Sequence, residues 1–238
     1  MIDVGDTIKR TIVQRAYKLQ YDRVYEILGG KPFILAGGAL CGDTVHDFDI
    51  YPVKTDPYTC ADLLRTLRMK KPVDASIVSH TKNALTVLLS GGQVVQFCSY
   101  SKPSLEELVK SFDFSHIQVG VMFAGNHESP RTDGVYYTDA FVMSNVTRCT
   151  DYTGSEYPTS SIVRTLKYYK RGKLSRSSAG RSILKAMTDV ISRGFNGYED
   201  FKDQLDAIDL GLPDCTEARA FFDAVRDSGL IRDKTIGH

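Results

Sequence analysis

The spacing of apolar residues changes along the chain, from mixed helical and strand-like patterns in the first two thirds to helical spacing in the last third. Apolar positions three or four apart predict helices over 6–28, 59–69 and 104–112. Alternating or continuous apolar runs predict strands at 46–53, 76–80, 84–90, 93–100, 116–124 and 135–143, and 31–38 is expected to be a strand or a turn into a helix. Further helices are expected at 159–171, 178–193, 198–208 and 216–228. The pattern predicts a mixed α/β domain over residues 1–157 and a helical domain over 158–238.

Local signals mark several boundaries between these elements. Gly29-Gly30 is expected to end the first helix. Gly91-Gly92 separates two strand-like runs and is typical of a β-hairpin turn. Ser104 and Glu107 have the spacing of a capping box, which predicts a helix start there.

Composition narrows the class of protein. The chain has 238 residues, of which 42% are hydrophobic and 25% charged, and the formal net charge is +1. These values are typical of a globular protein and exclude a chain that is basic throughout. Five widely spaced cysteines without a CxxC motif favour reduced thiols over disulfides or a zinc ribbon. Since no apolar run is long enough to span a membrane, we expect a cytoplasmic protein without a membrane partner.

The net charge hides two blocks of opposite sign. No Asp or Glu occurs between Tyr157 and Thr188, where eight Lys and Arg residues lie. From Asp189 to the end, eleven acidic residues outnumber six basic ones. Such a shift indicates a change of domain or of exposed face.

The chemistry concentrates between Phe33 and Val53. A Gly37-Gly38 pair is followed by Asp47 and Asp49, two residues apart in a predicted strand. Their carboxylates are therefore expected on one face, where they repel each other unless a cation lies between them. Mg²⁺ takes oxygen ligands and phosphates together, and glycines let backbone N–H groups approach a phosphate. The stretch predicts a metal–triphosphate site.

This stretch resembles the head of the DNA polymerase β-like nucleotidyltransferase superfamily, and within it the GGxVRD…DxD pattern of CCA-adding enzymes and bacterial poly(A) polymerases. The matching positions are Gly37, Gly38, Ala39, Asp43, Asp47 and Asp49. The resemblance covers roughly residues 30–100 and implies a mixed sheet with flanking helices, Mg²⁺ (or Mn²⁺) and a nucleoside triphosphate donor. It also implies a third carboxylate on a neighbouring strand.

Two positions depart from that pattern. Cys41-Gly42 replaces the Arg that normally precedes Asp43, and the strand expected to carry the third carboxylate presents Gln96. Asp113, which lies between apolar neighbours, is the alternative third metal ligand or base; it could equally be a helix cap or a structural carboxylate. Otherwise the site holds one metal ion or is catalytically inactive.

The segment 158–174 resembles a basic helix that follows the nucleotidyltransferase head in some viral and phage proteins. Helical spacing puts Arg164, Lys167, Tyr168 and Arg171 on one face, suited to phosphates and base stacking, unless this is simply a solvated face. Ile162, Leu166 and Tyr169 lie on another face, which we expect to pack against the head.

We therefore predict a nucleotidyltransferase that moves a nucleoside monophosphate from an NTP to an acceptor and releases pyrophosphate. RNA, with tRNA as one candidate, is the expected acceptor because of the basic helix. The competing hypothesis is an inactive module of this fold that binds RNA or a protein partner. His46 adjoins the acidic pair and is a further candidate for phosphate contact, although a turn position is also consistent with its sequence context.

Overall fold

The computed structural model describes residues 4–42, 45, 47–70, 74–126, 129–208 and 215–229. The chain divides into two compact units. The first comprises Met1–Phe112 and His116–Asn145, and the second comprises Asp113–Ser115 and Val146–His238. Within the described residues no helix is long and apolar enough to cross a membrane. The domain boundary predicted after residue 157 stays a prediction.

The described part of the chain contains seven strands and nine α-helices. The strands are β1 (Phe33–Ala36), β2 (Phe48–Pro52), β3 (Ala75–His80), β4 (Ala84–Leu89), β5 (Val94–Cys98), β6 (Val119–Asn126) and β7 (Ser129–Tyr137). The helices are α1 (Val4–Ala16), α2 (Tyr21–Ile27), α3 (Cys60–Lys70), α4 (Leu105–Lys110), α5 (Asp139–Thr147), α6 (Pro158–Lys170), α7 (Arg176–Arg193), α8 (Gly197–Asp206) and α9 (Thr216–Asp227).

The seven strands form one mixed sheet in the order β3-β4-β5-β2-β1-β6-β7. Strands β2 and β5 are parallel, and the other neighbouring pairs are antiparallel. The predicted hairpin at Gly91-Gly92 joins β4 to β5. The predicted cap is confirmed as well, because the Ser104 side chain accepts a hydrogen bond from the Glu107 N–H at the start of α4. The predicted fold class, a mixed sheet followed by a helical region, is confirmed.

The two faces of the sheet differ in what covers them. One face carries alternate strand residues such as Phe33, Ile50 and Phe97 and packs against α1, α2 and α3 in the main core. The opposite face is covered near β1 by α4, where Ile34 and Leu108 are buried. Because side chains alternate along a strand, the residues between the core positions of β2 and β5 belong to this second face.

The C-terminal unit consists of helices together with the short segment Asp113–Ser115. The Ser115 N–H donates to the Asp151 carbonyl oxygen, and the Asp151 N–H donates to the Ser115 hydroxyl oxygen. Phe114 pairs with Tyr152 in an isolated bridge. Further along, aromatic side chains of α8 and α9 and of the turn before α8 form a second core. Its members are Phe195, Phe201, Tyr198 and Phe222.

The single helix predicted over 6–28 is broken between Ala16 and Tyr21. The cause is Gln93, in the turn between β4 and β5. Its side chain donates to the Lys18 carbonyl oxygen at 2.6 Å and accepts from the Gln20 N–H at 2.9 Å. The side chain thus satisfies backbone groups that the break exposes.

The strand predicted over 135–143 ends early. Strand β7 stops at Tyr137, and α5 begins at Asp139. The Thr138 hydroxyl accepts a hydrogen bond from the Phe141 N–H at 3.0 Å, as an N-cap residue does. An apolar run of this length fits a strand or a helix, and the cap decided between them.

Candidate functional site

The Gly37-Gly38 loop is held in one conformation by backbone bonds. Gly37 has φ +83°, a value that favours glycine, and its N–H donates to the Val119 carbonyl at 3.0 Å. The Leu40 N–H returns to the Gly37 carbonyl at 3.1 Å. From α1, the Arg15 guanidinium donates to the Leu40 carbonyl at 2.9 Å. These contacts hold the loop in a fixed conformation.

The two glycines differ in what surrounds them. Gly37 is buried, and a Cβ added there would lie 3.7 Å from the Asp49 Oδ2 atom. Gly38 is exposed, and a Cβ at this position would meet no atom within 4 Å. The loop therefore lies against the Asp49 carboxylate while the backbone at Gly38 stays accessible from outside.

The Asp-x-Asp pair lies at the start of β2. Phe48 and Ile50 are buried in the main core, so the side chain of Asp49, between them, belongs to the opposite face of the sheet. Asp49 is half-buried, whereas Asp47, directly before the strand, is exposed. The sequence candidates Asp43 and His46 lie outside the described residues.

Gln96 occupies the position beside Asp49 on the next strand. The parallel register of β2 and β5 pairs Asp49 with Gln96, and Val95 and Phe97 on either side are buried in the main core. The Gln96 Nε2 donates a long hydrogen bond of 3.4 Å to the hydroxyl of Thr86, which lies on the neighbouring strand β4. Asp49, Gln96 and Thr86 thus form a polar row on one face, in which Gln96 takes the place where an acid was expected.

Asp113, the alternative third carboxylate, belongs to the C-terminal unit and is only 3% exposed. Its Oδ2 accepts a hydrogen bond of 2.7 Å from the Ser161 hydroxyl. The Arg164 Nη1 lies 3.0 Å from both of its oxygens, in an ion pair with a guanidinium side chain that is 44% exposed. Its role as a metal ligand stays a prediction, but these contacts already engage both oxygens.

A second carboxylate lies in the same unit. The Tyr152 hydroxyl donates to Asp189 Oδ2 at 2.7 Å. The pKa of Tyr152 is raised well above its ordinary value, first by burial, then by this bond and by the negative charges of Asp189 and Asp113. Tyr152 therefore remains a neutral donor in this cluster.

The basic helix α6 has a different inner face from the predicted one. Tyr168 is buried and packs against Phe114 at 4.8 Å between ring centroids, so it does not share an exposed face with Lys167 and Arg171. Leu166 and Tyr169 are about half exposed and Ile162 is partly buried, and their expected packing against the head stays a prediction. The surface of α6 thus carries cations together with apolar side chains, including the Tyr169 ring.

The carboxylates of the site determine which metal ion it could hold. Among the described residues, no group of three or more His, Cys, Asp or Glu side chains could hold one. Mg²⁺, however, is commonly held by one or two carboxylates together with substrate phosphates. Asp49, against the glycine loop, and Asp47, directly before β2, fit one such ion, with the neutral carbonyl oxygen of Gln96 nearby in register. Among the described residues, this donor set contains no third carboxylate for a second ion.

Sequence reasoning missed several residues that shape these sites. Arg15 and Ser161 were not candidates, because each lies far along the chain from the group that it contacts, and Thr86 faces Gln96 only through the register of the hairpin. The isolated Gln96 was the one signal that pointed to the polar row.

Three solved structures share this fold at low sequence identity. A Thermotoga maritima CCA-adding enzyme complexed with tRNA is 14% identical, with a TM-score of 0.50, over 92% of this chain and 54% of that chain. A CCA-adding enzyme without ligand is 14% identical, with a TM-score of 0.51, over 92% and 54%. A CCA-adding enzyme with ATP is 13% identical, with a TM-score of 0.51, over 86% and 54%. The chain spans about half the length of these proteins, and the likeness defines a nucleotidyltransferase fold.

The family follows from the sequence. The chain belongs to the Gabija anti-defense 2 family, whose model matches residues 9–148. Among curated proteins, none matches this chain.

Proposed function

We propose that this protein is a metal-dependent nucleotidyltransferase that modifies RNA and thereby acts against Gabija. The observation that carries the proposal is the fixed Gly37-Gly38 loop against Asp49, on a sheet with the nucleotidyltransferase fold. The anti-defence direction is taken from the name of the family.

The roles of the residues follow from their positions. The backbone at Gly38 is open to the β- and γ-phosphates of an NTP. Asp47 and Asp49 would hold Mg²⁺ (or Mn²⁺), which when bound would neutralise negative charge on the phosphates. Lys167 and Arg171 are exposed and would contact phosphates of the nucleotide or of RNA, while Arg164 is held by Asp113.

The proposed reaction is an in-line substitution. The acceptor hydroxyl oxygen forms a bond to the α-phosphorus, and the bond from that phosphorus to pyrophosphate breaks, with the electron pair leaving on pyrophosphate. The hydroxyl proton must pass to a carboxylate or to water, since Gln96 can donate and accept hydrogen bonds but cannot take a proton. The row of Asp49, Gln96 and Thr86 would orient the acceptor beside the phosphates.

The test is transfer of α-³²P label from each of the four NTPs, with Mg²⁺ or Mn²⁺, to total RNA and total protein from cells that carry Gabija. Asp47→Asn and Asp49→Asn are compared with the exposed control Asp74→Asn. We expect label on RNA with the wild type and the control, and its loss with the two site variants. Label on protein alone would refute the RNA acceptor. Label that persists in both site variants would refute the site.

The same variants test the anti-defence role. Expressed in Gabija-carrying cells during phage infection, the wild type and Asp74→Asn should restore phage growth, and Asp49→Asn should not. A wild type that labels RNA but never restores phage growth would separate the chemistry from the proposed biological role.

A second candidate is a module that binds RNA or a protein without catalysis, favoured by Gln96 in the expected acid position. It predicts no label on either pool, retained NTP binding and anti-defence activity that survives Asp49→Asn. The two candidates therefore differ in the effect of one substitution.

A further inference from the structure

Helices α6 and α7 bury several small side chains, and α7 exposes large aliphatic ones. The inward positions include Ser161, Thr165, Ala179, Ser182 and Ala186, all buried. The outward positions include Leu184, Met187 and Ile191, which are 66%, 46% and 63% exposed. Large exposed apolar side chains of this kind mark interaction sites when they are contiguous.

The buried small residues need no help from the exposed ones. Small side chains let two helices approach closely, and α6 and α7 pack along each other. The Thr165 hydroxyl donates to the Ser161 carbonyl at 2.8 Å, so its polar group is satisfied inside the unit. The hairpin is therefore internally complete, and its outward aliphatic residues serve no packing inside it.

The aliphatic residues of α7 form a continuous seam. Leu184, Met187 and Ile191 follow each other at intervals of three and four residues, which places them along one side of the helix. This is the spacing with which one helix packs against another. α7 has 18 residues, enough for about five turns.

Cations line the same helix. Arg181 and Lys185, four residues apart, flank the seam on one side, and Arg176 lies in the first turn. Neither α6 nor α7 carries an acidic residue before Asp189, whose side chain bonds to Tyr152. None of these three cations forms an ion pair with another described residue; Arg181 donates to the Ser178 hydroxyl at 3.2 Å. The seam is therefore apolar with a positive border.

We propose that the outward face of α7, defined by Leu184, Met187, Ile191, Arg181 and Lys185, binds an acidic amphipathic helix of a partner protein. The seam accepts an apolar stripe, and the border pairs with Asp or Glu beside that stripe. This is an interaction surface in addition to the proposed nucleotide site and does not depend on it.

Two other occupants fit this face less well. RNA would gain from the cations, but Leu184 and Ile191 offer no ring on which a base can stack. A second copy of the chain that docked through the same face would bring the same cations, Arg181 and Lys185, towards the contact, and like charges at an interface oppose association.

The test uses a defined probe, a fluorescent synthetic helix with Leu at the seam positions and Glu beside them. The comparison probes are the same peptide with Lys in place of Glu and a single-stranded RNA of about 20 nucleotides. Binding to the full chain is followed by anisotropy at two salt concentrations. We expect the acidic peptide to bind more tightly than either comparison probe, and more weakly at the higher salt concentration.

Two double variants separate the two parts of the surface. Leu184→Ser/Ile191→Ser removes the seam, and Arg181→Glu/Lys185→Glu reverses the border. Each should weaken acidic-peptide binding by about tenfold or more. The matched control Lys173→Glu, an exposed cation in the turn before α7, should change it less than about twofold. Circular dichroism of each variant confirms that the helices persist.

Three outcomes would overturn the proposal. One is tighter binding of RNA than of the acidic peptide, which would make the face a nucleic-acid surface. Another is self-association in sedimentation that Leu184→Ser/Ile191→Ser abolishes, which would make it a contact between copies. The third is no binding of any probe by a chain that stays monomeric.

Discussion

The ion pair between Asp113 and Arg164 gives a quantitative prediction, because Asp113 has two competing roles. If the carboxylate is structural, Asp113→Asn removes the charge from a side chain that is 3% exposed and so removes its ion pair with Arg164. Removing one member of a buried pair costs about 3–5 kcal/mol. Because the Arg164 side chain is 44% exposed and partly solvated, we expect a smaller loss, about 2 kcal/mol in the free energy of unfolding.

The assay is thermal and urea unfolding followed by circular dichroism, with tyrosine signals as a second probe because the chain contains no Trp. For a unit of at most about 100 residues, a loss of about 2 kcal/mol lowers the Tm by roughly 8–15 °C. Arg164→Gln should cause a similar loss, and the double variant should lose less than the sum of both. The exposed Asp47→Asn should change stability by less than about 0.5 kcal/mol.

A structural role of Asp113 would be refuted by an Asp113→Asn protein that unfolds like the wild type. If that variant also lost label transfer and Mg²⁺ binding, Asp113 would be the third metal ligand after all. A stable variant with normal transfer would show that the ion pair contributes little and that the carboxylate has no part in the chemistry.

Three further predictions concern the glycine loop, the polar row and the core. Gly38→Ala should fold normally, since a Cβ there meets nothing within 4 Å, but it should weaken NTP binding. Gly37→Ala, at φ +83°, should lower the Tm. Equal NTP affinity for Gly38→Ala and the wild type would contradict the proposed phosphate contact at Gly38. Gln96→Asp should place a second negative charge beside Asp49, so the Tm of this variant should fall without metal. Addition of Mg²⁺ should raise its Tm more than that of the wild type. A Tm that Mg²⁺ leaves unchanged in both proteins would argue against a metal site. Tyr21→Phe should leave stability at pH 7 unchanged or raise it by about 1 kcal/mol, because the buried hydroxyl has no hydrogen-bond partner among the described residues. Burial raises the pKa of Tyr21 to about 12 from an unfolded value near 10, so the wild type should lose stability as the pH rises from 10 to 12. In urea titrations, Tyr21→Phe should make the free energy of unfolding fall less steeply over this pH range. An identical pH dependence in both proteins would refute the raised pKa of Tyr21.

The local features of the fold were predictable from short stretches of sequence. Three features were expected and are present: the apolar run that ends at Gly37-Gly38, the strand that carries Asp49, and the hairpin at Gly91-Gly92. Alternation of apolar residues fixes which face of a strand enters the core, so the placement of Asp49 away from it also followed.

Contacts between distant segments decided the rest. Gln93 breaks the first predicted helix through bonds to residues more than 70 positions away, and Arg164 pairs with Asp113 across 51 positions. Helical spacing told us that Leu166 and Tyr169 share a side of α6, but not that this side would stay exposed while Ser161 and Thr165 are buried. Periodicity within one element identifies its two faces, whereas the identity of the buried face depends on the shape of the element packed against it, and only the tertiary structure contains that shape.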